Sequence, residues 1–501
     1  MKITLTLRLA ALLAGMPHAT HAQRGLPDWA PVSSLDAQQE MARKNIWRSP
    51  SMQSIQAGAA FSNVSAMYQN IRYEGVGEVQ RGTGDCSVSL CAQGLSHPRK
   101  GTTLYGKACY EAGRLLDVAW RETSDYDRLR PYGLADDFTG SLTKRGYGFS
   151  GGWARENGNA TIGLSASYEA RAEYRQSDPR PLNICSKGEI EASAALYSKP
   201  LKTMFCVDAG MELYHQSNNV LFANRKTGLF EYNMLGMGEY SQRFSGNKTD
   251  AAFRGTAWLM GVETLTRNNL RTSTFVMAGN TQWILMNINS LPLARLRTLS
   301  VSHRAIYQTR RGTTLCLGGK AQTRQGVEGI FGAGVDVAYP KLGEERRYHE
   351  TAYHAQISIM RQWRRGRYTL ACMPAIAAKG KKESYAIKEK KLIVHNVYPS
   401  WTIRLEKRWE LWRMALETTA GARLNVGKVL AGTGDEDTPI AKMVYCNAMR
   451  QTRSFPFADM RILGNGIMGN VKYFWNLQGG VYKIKGTRAR LSYALSCGID
   501  F

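Results

Sequence analysis

The chain has 501 residues and is strongly basic, because 66 Lys and Arg residues against 40 Asp and Glu residues give a net charge of +26. With 43% hydrophobic residues and a mean hydropathy of −0.35, the composition is that of a folded chain rather than a disordered one. No run of about 18 apolar residues follows the amino terminus, which excludes a protein that crosses a membrane with helices. The composition still allows a membrane protein that crosses with β-strands of alternating apolar and polar residues.

The first 22 residues have the three parts of a secretory signal peptide. Lys2 and Arg8 supply positive charge, residues 9–15 are apolar, and Thr20-His21-Ala22 fits a small-x-small cleavage site. We therefore expect residues 1–22 to be removed and the mature chain to be exported.

Residues 23–60 differ in character from the rest of the chain. Ser33 or Ser34 is a suitable cap for a short helix that ends near Ile46 and is broken before Pro50. A periplasmic arm, a plug in a barrel lumen and a solvated tail are all compatible with this pattern.

Residues 61–501 are dominated by alternation with a period of two. From Ala489 to Phe501 every odd position is apolar and every even position is polar or small, which indicates a strand with one apolar face. Similar segments of about ten residues, the length that a tilted strand needs to cross a bilayer, recur around turn signals. We predict an all-β fold, a transmembrane up-and-down antiparallel β-barrel of about 16 strands (range about 14–18), preceded by the short helical segment.

The connections between these segments alternate between short and long, as in outer-membrane barrels with short periplasmic turns and long external loops. With Phe501 at the periplasmic end, the turn near Gly486 is external and residues 452–469 form an unusually long periplasmic link. The short turns are predicted at 97–101, 155–159, 199–202, 266–270, 310–312, 364–366 and 407–410, and the long loops at 121–145, 175–188, 216–253, 287–297, 325–350, 378–396 and 427–440.

The cysteines give no sign of a cross-linked or metal-binding framework. There are nine, an odd number, and no CxxC pair occurs. Cys372 and Cys497 fall on the apolar phase of their strands, whereas Cys206 and Cys316 fall on the other phase. We interpret all nine as structural residues that behave as small hydrophobes.

The chain resembles a known class at both ends. The closing segment, with Tyr493, Ile499 and Phe501 on its apolar phase, resembles the carboxy-terminal signal that the outer-membrane barrel assembly machinery reads. The segment Asn45 to Ser49 resembles an Asn-Ile-Trp-x-Ser-type motif in an uncharacterised family of outer-membrane barrels from the Bacteroidota. The resemblance implies a Gram-negative outer membrane and the assembly machinery as a partner, but no established activity.

The phase opposite the apolar one predicts the side chains that face the lumen, and bases outnumber acids there. A conduit or binding lumen that favours anions is one interpretation. Arg and Glu residues that pair across neighbouring strands to hold the wall are the other. The candidate lumen-lining residues are Arg171, Lys320, Arg404, Arg413, Glu417, Arg423, Lys472 and Arg490.

Sequence features that indicate catalysis are sparse. Six histidines remain in the mature chain, among them His354 on the inward phase, but no nucleophile motif accompanies them. Gly464-x-Gly466-x-x-Gly469 lacks the βαβ context of a dinucleotide fingerprint and fits a barrel turn. We therefore predict no enzyme, no cofactor, no metal site and no nucleic-acid partner.

The function predicted from the sequence is a channel, or an accessory component, for solute uptake with a mild preference for anionic ligands. A non-conducting barrel that docks surface lipoproteins or matrix is the alternative, and an outer-membrane hydrolase is the remote one. The expected partners are outer-membrane lipid and lipopolysaccharide, with a surface lipoprotein or a TonB-dependent receptor as a further candidate. Conductance distinguishes the first two interpretations.

Overall fold

A computed structural model describes residues 48–56, 60–222, 230–246, 250–309, 311–335, 338–432, 437–468 and 471–500. The predicted signal peptide, the predicted helix that ends near Ile46 and the terminal Phe501 lie outside these ranges.

The described chain forms one closed antiparallel sheet of 18 strands, together with a small three-stranded sheet in the loops. Each barrel strand pairs with the next one along the chain, and the ring closes where the first strand pairs with the last, with Asn63 opposite Asp500. The predicted all-β, up-and-down barrel is confirmed, with a strand count at the top of the predicted range. The barrel strands are β1 Phe61–Arg72, β2 Gly84–Arg99, β3 Thr102–Ala119, β5 Thr139–Asn157, β6 Ala160–Tyr174, β7 Arg180–Ser198, β8 Thr203–Leu221, β11 Asp250–Thr266, β12 Leu270–Leu285, β13 Leu291–Gln308, β14 Thr313–Phe331, β15 Lys341–Arg365, β16 Tyr368–Tyr385, β17 Lys390–Arg408, β18 Trp412–Ala431, β19 Phe455–Met468, β20 Val471–Tyr482 and β21 Arg490–Asp500, and the small sheet consists of β4 Gly133–Ala135, β9 Tyr232–Gly236 and β10 Glu239–Tyr240.

The two faces of the wall differ sharply in polarity. On β7, Ile190 is 67% exposed, while its neighbours Glu189 and Glu191 are 7% and 2% exposed. Apolar side chains with this exposure recur around the ring and include Val207, Trp258 and many others. Such a surface is the lipid-facing side of a membrane barrel, and the polar phase faces the lumen.

The barrel has two unlike ends. At one end, the short-turn end, strands are joined by connections of only a few residues, such as 100–101, 158–159 and 366–367. At the other end, the long-loop end, they are joined by longer segments, of which 73–83, 120–138, 222–249 and 432–454 are the longest.

The predicted link at 452–469 is wrong, because most of it is strand β19. Gly464 and Gly466 were interpreted as turn residues, yet both lie in the wall. A Cβ at Gly464 would approach the Trp475 ring to 2.3 Å, and one at Gly466 would approach the Trp412 ring to 2.4 Å. The glycines therefore make room for aromatic side chains on neighbouring strands, which a single sequence does not reveal.

Two predicted long loops are also much shorter than expected. Most of 325–350 and 378–396 belongs to strands β14 to β17, which continue far past the length that crosses a bilayer. The wall is consequently tall, and its upper part encloses lumen rather than carrying free loops.

The three described α-helices lie at the ends of the barrel and are α1 Pro50–Gln56, α2 Tyr126–Leu129 and α3 Pro439–Thr452. Helix α1 begins at Pro50, and the helix predicted to end before this residue lies outside the described residues. Proline suits the first helical position, where its missing N–H would have no partner within the helix. In the described part of the chain, no helix has the length and apolar character that crossing a bilayer requires.

One pair of cysteines is cross-linked, which corrects the interpretation of all nine as structural residues that behave as small hydrophobes outside any disulfide framework. Cys91 and Cys109 stand directly opposite each other on β2 and β3, with Cα atoms 4.2 Å apart, and form a disulfide. The register of the two strands around the turn at 100–101 brings the two cysteines together. Because this register is not visible in the spacing of the cysteines, the sequence contains no motif that marks the pair.

Candidate functional site

Helix α1 lies inside the barrel near the short-turn end, packed against the inner faces of β5, β6 and β7. Met52 is fully buried there. A Cβ at Gly163 on β6 would come within 2.5 Å of the Ser51 backbone nitrogen, so the absence of a side chain permits this close approach. The helix therefore lies in the lumen against one side of the wall.

The residues before α1 enter a group of four buried inner-face carboxylates, Glu189, Glu191, Asp208 and Glu263, which we call the acidic cradle. The Arg48 guanidinium donates to Glu189 and, at 2.6 Å, to Glu191. Glu263 accepts from the Arg48 backbone N–H at 2.9 Å and from the Ser49 hydroxyl. Charge pairing and hydrogen bonds thus hold the segment 48–56 in place.

At the long-loop end, the connection 120–138 folds into the barrel and contacts the wall, and we call it the loop insert. Arg130 donates to Glu350 at 2.6 Å, and Arg128 donates to Glu212 at 2.7 Å. Asp125 accepts from the Tyr214 hydroxyl at 2.9 Å. These contacts place α2 across the lumen.

Wall side chains also bind the backbone of the loop insert. Asn183 and Asn218 both donate to the Glu122 carbonyl oxygen, at 2.7 and 3.0 Å. Arg324 donates to the carbonyl oxygens of Asp127 and Arg130, at 2.6 and 3.1 Å. The backbone polar groups of the insert are in this way satisfied away from water.

A second layer covers the loop insert. Strand β4 of the insert pairs with β9, which brings residues 230–246 over it. Helix α3 contacts the segment 73–83, where Asn447 accepts from the Val79 N–H at 2.9 Å. Below this layer an apolar cluster forms, in which the ring centroids of Tyr132 and Trp283 lie 5.8 Å apart.

Two buried acids, Glu122 in the loop insert and Glu78 in the segment 73–83, have pKa values that are shifted in opposite directions. Burial raises the pKa of Glu122 well above its usual range, and the neighbouring Asp136 and Glu231 carboxylates raise it further, against the opposing charge of Arg175. Burial would also raise the pKa of Glu78, but the charges of Lys381, Arg81 and Arg130 outweigh it and the pKa is lowered. These surroundings therefore favour the protonated form of Glu122 and the ionised form of Glu78.

Beside the loop insert lies a chamber of about 480 Å³, a volume typical of small-ligand sites. The insert contributes Asp125 and Arg128 to its lining. The wall contributes charges of both signs and the disulfide, through Lys107, Glu111, Glu169, Arg171, Lys187, Cys91 and Cys109. The chamber can hold a small polar molecule.

Several predicted lumen-lining residues are held in ion pairs. Arg404 and Glu417 are opposite each other in register, and a guanidinium nitrogen of Arg404 lies 3.4 Å from a carboxylate oxygen of Glu417. Arg171 pairs with Asp125, Arg413 with Glu406 at 3.4 Å, and Arg490 with Glu74 at 2.5 Å. For these residues the geometry favours wall and loop anchoring over an open charged surface.

The remaining predicted residues differ from one another in their surroundings. Arg423 is buried and donates to carbonyl oxygens of α3 and of the segment 73–83. Lys472 is exposed near the short-turn end. Lys320 stands in mid-wall on β14, opposite His354. Tyr493 and Ile499 lie on the outer face of β21, where both are exposed.

The acidic cradle and the loop insert were not predicted. The cradle has a signal in the sequence, since Glu189 and Glu191 alternate with Ile190 in a strand pattern. The insert has none, because its contacts join residues far apart in the chain, as when Arg130 meets Glu350 across 220 positions.

The fold and lumen define a class, a closed 18-stranded membrane barrel whose interior is occupied from both ends by its own chain. Within this class the chain belongs to a family of unknown function, DUF6850, whose model matches residues 52–501. No curated protein matches the chain in sequence.

Solved structures similar to the chain include three receptors or transporters of iron complexes. The ferric-catecholate import receptor Fiu of E. coli K12 is 8% identical, with a TM-score of 0.42 and coverage of 91% of this chain and 82% of that one. The ferric citrate transporter FecA is 11% identical, with a TM-score of 0.41 and coverage of 88% and 78%. The ferric preacinetobactin receptor BauA of Acinetobacter baumannii is 10% identical, with a TM-score of 0.38 and coverage of 89% and 80%.

Proposed function

We propose that the protein is an outer-membrane barrel for solute uptake that is closed at rest by α1 and by the loop insert. Its short-turn end faces the periplasm and its long-loop end faces outward, as the lengths of the connections require in such barrels. Export through a cleaved signal peptide at 1–22, assembly through the carboxy-terminal signal, and lipid and lipopolysaccharide around the wall belong to the same proposal. The Asn45 to Ser49 segment supports a source in the Bacteroidota.

The chamber beside the loop insert carries this proposal. A barrel with a purely structural role has no need of a space of about 480 Å³ that is lined by charged groups of both signs. Both closures are attached to the wall largely through charged and polar groups, including Arg48 and Arg130. Contacts of this kind exchange readily with water when a segment moves, so each closure can be displaced without unfolding the wall.

The alternative is a non-conducting barrel that docks a surface lipoprotein, matrix or a larger import complex. The apolar cluster beneath the loop insert favours it, because buried apolar contacts such as Tyr132 on Trp283 oppose opening. Both candidates share the same closed state and differ in whether that state opens.

Conductance in planar bilayers separates the two candidates. The double variant Arg48→Gln, Glu350→Gln weakens one attachment at each closure. Under the uptake proposal it passes ions far more often than the wild type, and reversal potentials in a salt gradient show mild anion preference. The matched control Glu344→Gln removes an exposed carboxylate of the same wall and leaves the wild-type behaviour. A double variant that keeps its heat-modifiable gel shift but never conducts would refute uptake and leave the docking barrel.

A further inference from the structure

We propose that the outer face of β13 to β17 carries a binding site for the phosphorylated head group of an outer-leaflet glycolipid. We call the site the outer basic patch, and it consists of Arg297, Gln325, His349, Lys382, Ser384 and Lys391. The inference rests on the proposed orientation, in which the long-loop end faces outward, and it goes beyond the proposed uptake function.

The patch is held in fixed register by the wall. Arg297 on β13 is opposite Gln325 on β14, and Gln325 is opposite His349 on β15. His349 is in turn opposite Ser384 on β16, which is opposite Lys391 on β17. These five side chains therefore form one line across five neighbouring strands.

The patch lies on the strand phase that faces lipid further down the wall. Arg297 continues the phase of Leu299 and Val301, which are 47% and 40% exposed. Lys382 continues the phase of Ile376 on β16, and it is exposed, as Arg297 is. The bases therefore adjoin the apolar band on the lipid-facing side of the barrel.

An aromatic side chain marks the upper edge of the apolar band. Tyr353 on β15 is exposed, and its hydroxyl lies 3.1 Å from Nδ1 of His395 on β17. Such aromatic residues gather where a barrel meets the membrane–water interface. Lys382 is opposite Thr351, two residues above Tyr353, and His349 lies four residues above it. At about 3.3 Å per residue the patch begins roughly 7 Å along the strand from the interface, within the head-group layer.

The outer face carries a net positive charge at this height. Three outer-face rows cross β13 to β17 here, and in them the described residues include three cations and no carboxylate. The rows are Arg297, Gln325, His349, Ser384 and Lys391, then Leu299, Thr323, Thr351, Lys382 and Ile393, then Val301, Ala321, Tyr353, Gly380 and His395. The acids next to them in sequence, Glu350 and Glu383, face the lumen and pair there with Arg130 and Lys381.

The two lysines of the patch are not neutralised by the described part of the chain. There the side chains of Lys382 and Lys391 make neither an ion pair nor a hydrogen bond. Above the patch, Glu344 and Glu345 pair with other bases at 2.6 and 2.8 Å, and Glu389 is exposed in the connection between β16 and β17. Three bases against Glu389 leave a positive excess, which head-group phosphates would neutralise.

The width and chemistry of the patch narrow the ligand. Arg297 and Lys391 are four strands apart, which is roughly 19 Å at the usual strand separation and wider than one phospholipid head group. Between these bases stand neutral hydrogen-bonding groups, Gln325, His349 and Ser384, which suit sugar hydroxyls. A glycolipid whose sugars carry phosphate groups, as lipopolysaccharide does, offers both kinds of partner.

Native mass spectrometry of the detergent-solubilised full chain tests the site, with bisphosphorylated lipid A as the probe. In the wild type we expect a bound lipid, and dephosphorylation of the probe should abolish its binding. The variant Lys382→Gln, Lys391→Gln should bind the probe about 30-fold more weakly, since one base near an anionic lipid surface accounts for about fivefold. Lys382→Arg, Lys391→Arg keeps the charge and should retain the affinity. The control Lys100→Gln, Lys199→Gln removes two exposed bases at the short-turn end and should bind as the wild type does.

Equal affinity of the glutamine variant and the wild type overturns the proposal, and so does an equal loss in the control. Equal binding of dephosphorylated lipid A or of phosphatidylglycerol by the wild type also overturns it, because the site is defined by phosphate groups on a sugar. The heat-modifiable gel shift shows that each variant is folded. The lipid reaches the outer wall without entering the lumen, so the measurement needs no ion flow. A barrel that binds lipid A through the patch but never conducts therefore refutes uptake alone, and a conducting barrel without this binding refutes the site alone.

Discussion

Replacing Glu350 with Gln should release the loop insert from the wall. The Glu350 side chain is 1% exposed and pairs with Arg130 at 2.6 Å, and it lies 3.6 Å from Arg324, which is 2% exposed. The substitution keeps the shape but removes the carboxylate that pairs with both guanidinium groups. Loss of one partner of a buried pair costs about 3–5 kcal/mol. Because Arg130 is partly exposed, we take the lower figure, which is roughly a 100-fold rise in the undocked population.

Hydrogen–deuterium exchange of the solubilised barrel measures this population directly. Exchange in peptides from 120–138 should rise roughly 100-fold in the variant, while peptides from β7 and β8 keep their protection. Glu344→Gln is the matched control on the same strand, since Glu344 pairs with Arg295 at 2.6 Å but both side chains are about one third exposed. An exposed pair contributes under about 1 kcal/mol, so the control should shift exchange less than about fivefold.

Two results would refute this reasoning. If exchange in 120–138 rises less than about threefold, the ion pair does not hold the insert and the apolar cluster alone does. If protection falls equally in all strands, Glu350 supports the whole barrel rather than the closure.

Three further predictions concern the closures and the wall. Burial and nearby acids raise the pKa of Glu122, so the folded state keeps a proton that the unfolded carboxyl loses above about pH 4.5. Docking of 120–138 should therefore weaken as the pH rises from there to the raised pKa of the folded state. The variant Glu122→Gln should remove most of this pH dependence in exchange experiments between about pH 5 and 8. Gly163→Val should unseat α1 and expose it to protease, whereas Gly318→Val, at an inner-face glycine with open space, should not. Thiol labelling of the denatured chain should find seven free cysteines before reduction and all nine after it.

The wall was predictable because the alternation of apolar and polar residues shows, at each position, which face of the strand the side chain lies on. Each residue on β7 reveals its face by its own polarity, as Ile190 does between Glu189 and Glu191. Strand β19 was missed because its signal depends on neighbours. Pro456, Gly464 and Gly466 disfavour a strand by themselves, and the aromatic rings that fill the space above the glycines come from β18 and β20.

The lumen was only partly predictable, because the partner of a charge is set by register or by a docked loop. Arg404 and Glu417 both appear on the inward phase in the sequence, and alignment of two strands is enough to pair them. The pairing of Arg171 with Asp125 requires the loop insert to fold inward as well. No local pattern encodes that movement, so the sequence could not separate a charged conduit from an anchored lumen.

A wrong length scale led to part of the wall being predicted as an external loop. About ten residues cross a bilayer, and by that measure Lys379 fell in a predicted external loop at 378–396. The structure instead continues β15 over 25 residues and β16 over 18, so Lys379 belongs to the wall and faces His354. A strand longer than the bilayer extends the lumen beyond the lipid, where its inner face can carry charge without contact with the apolar layer. Charges predicted on an external loop then stand in fixed register on the inner face of the wall, where strand pairing sets their neighbours.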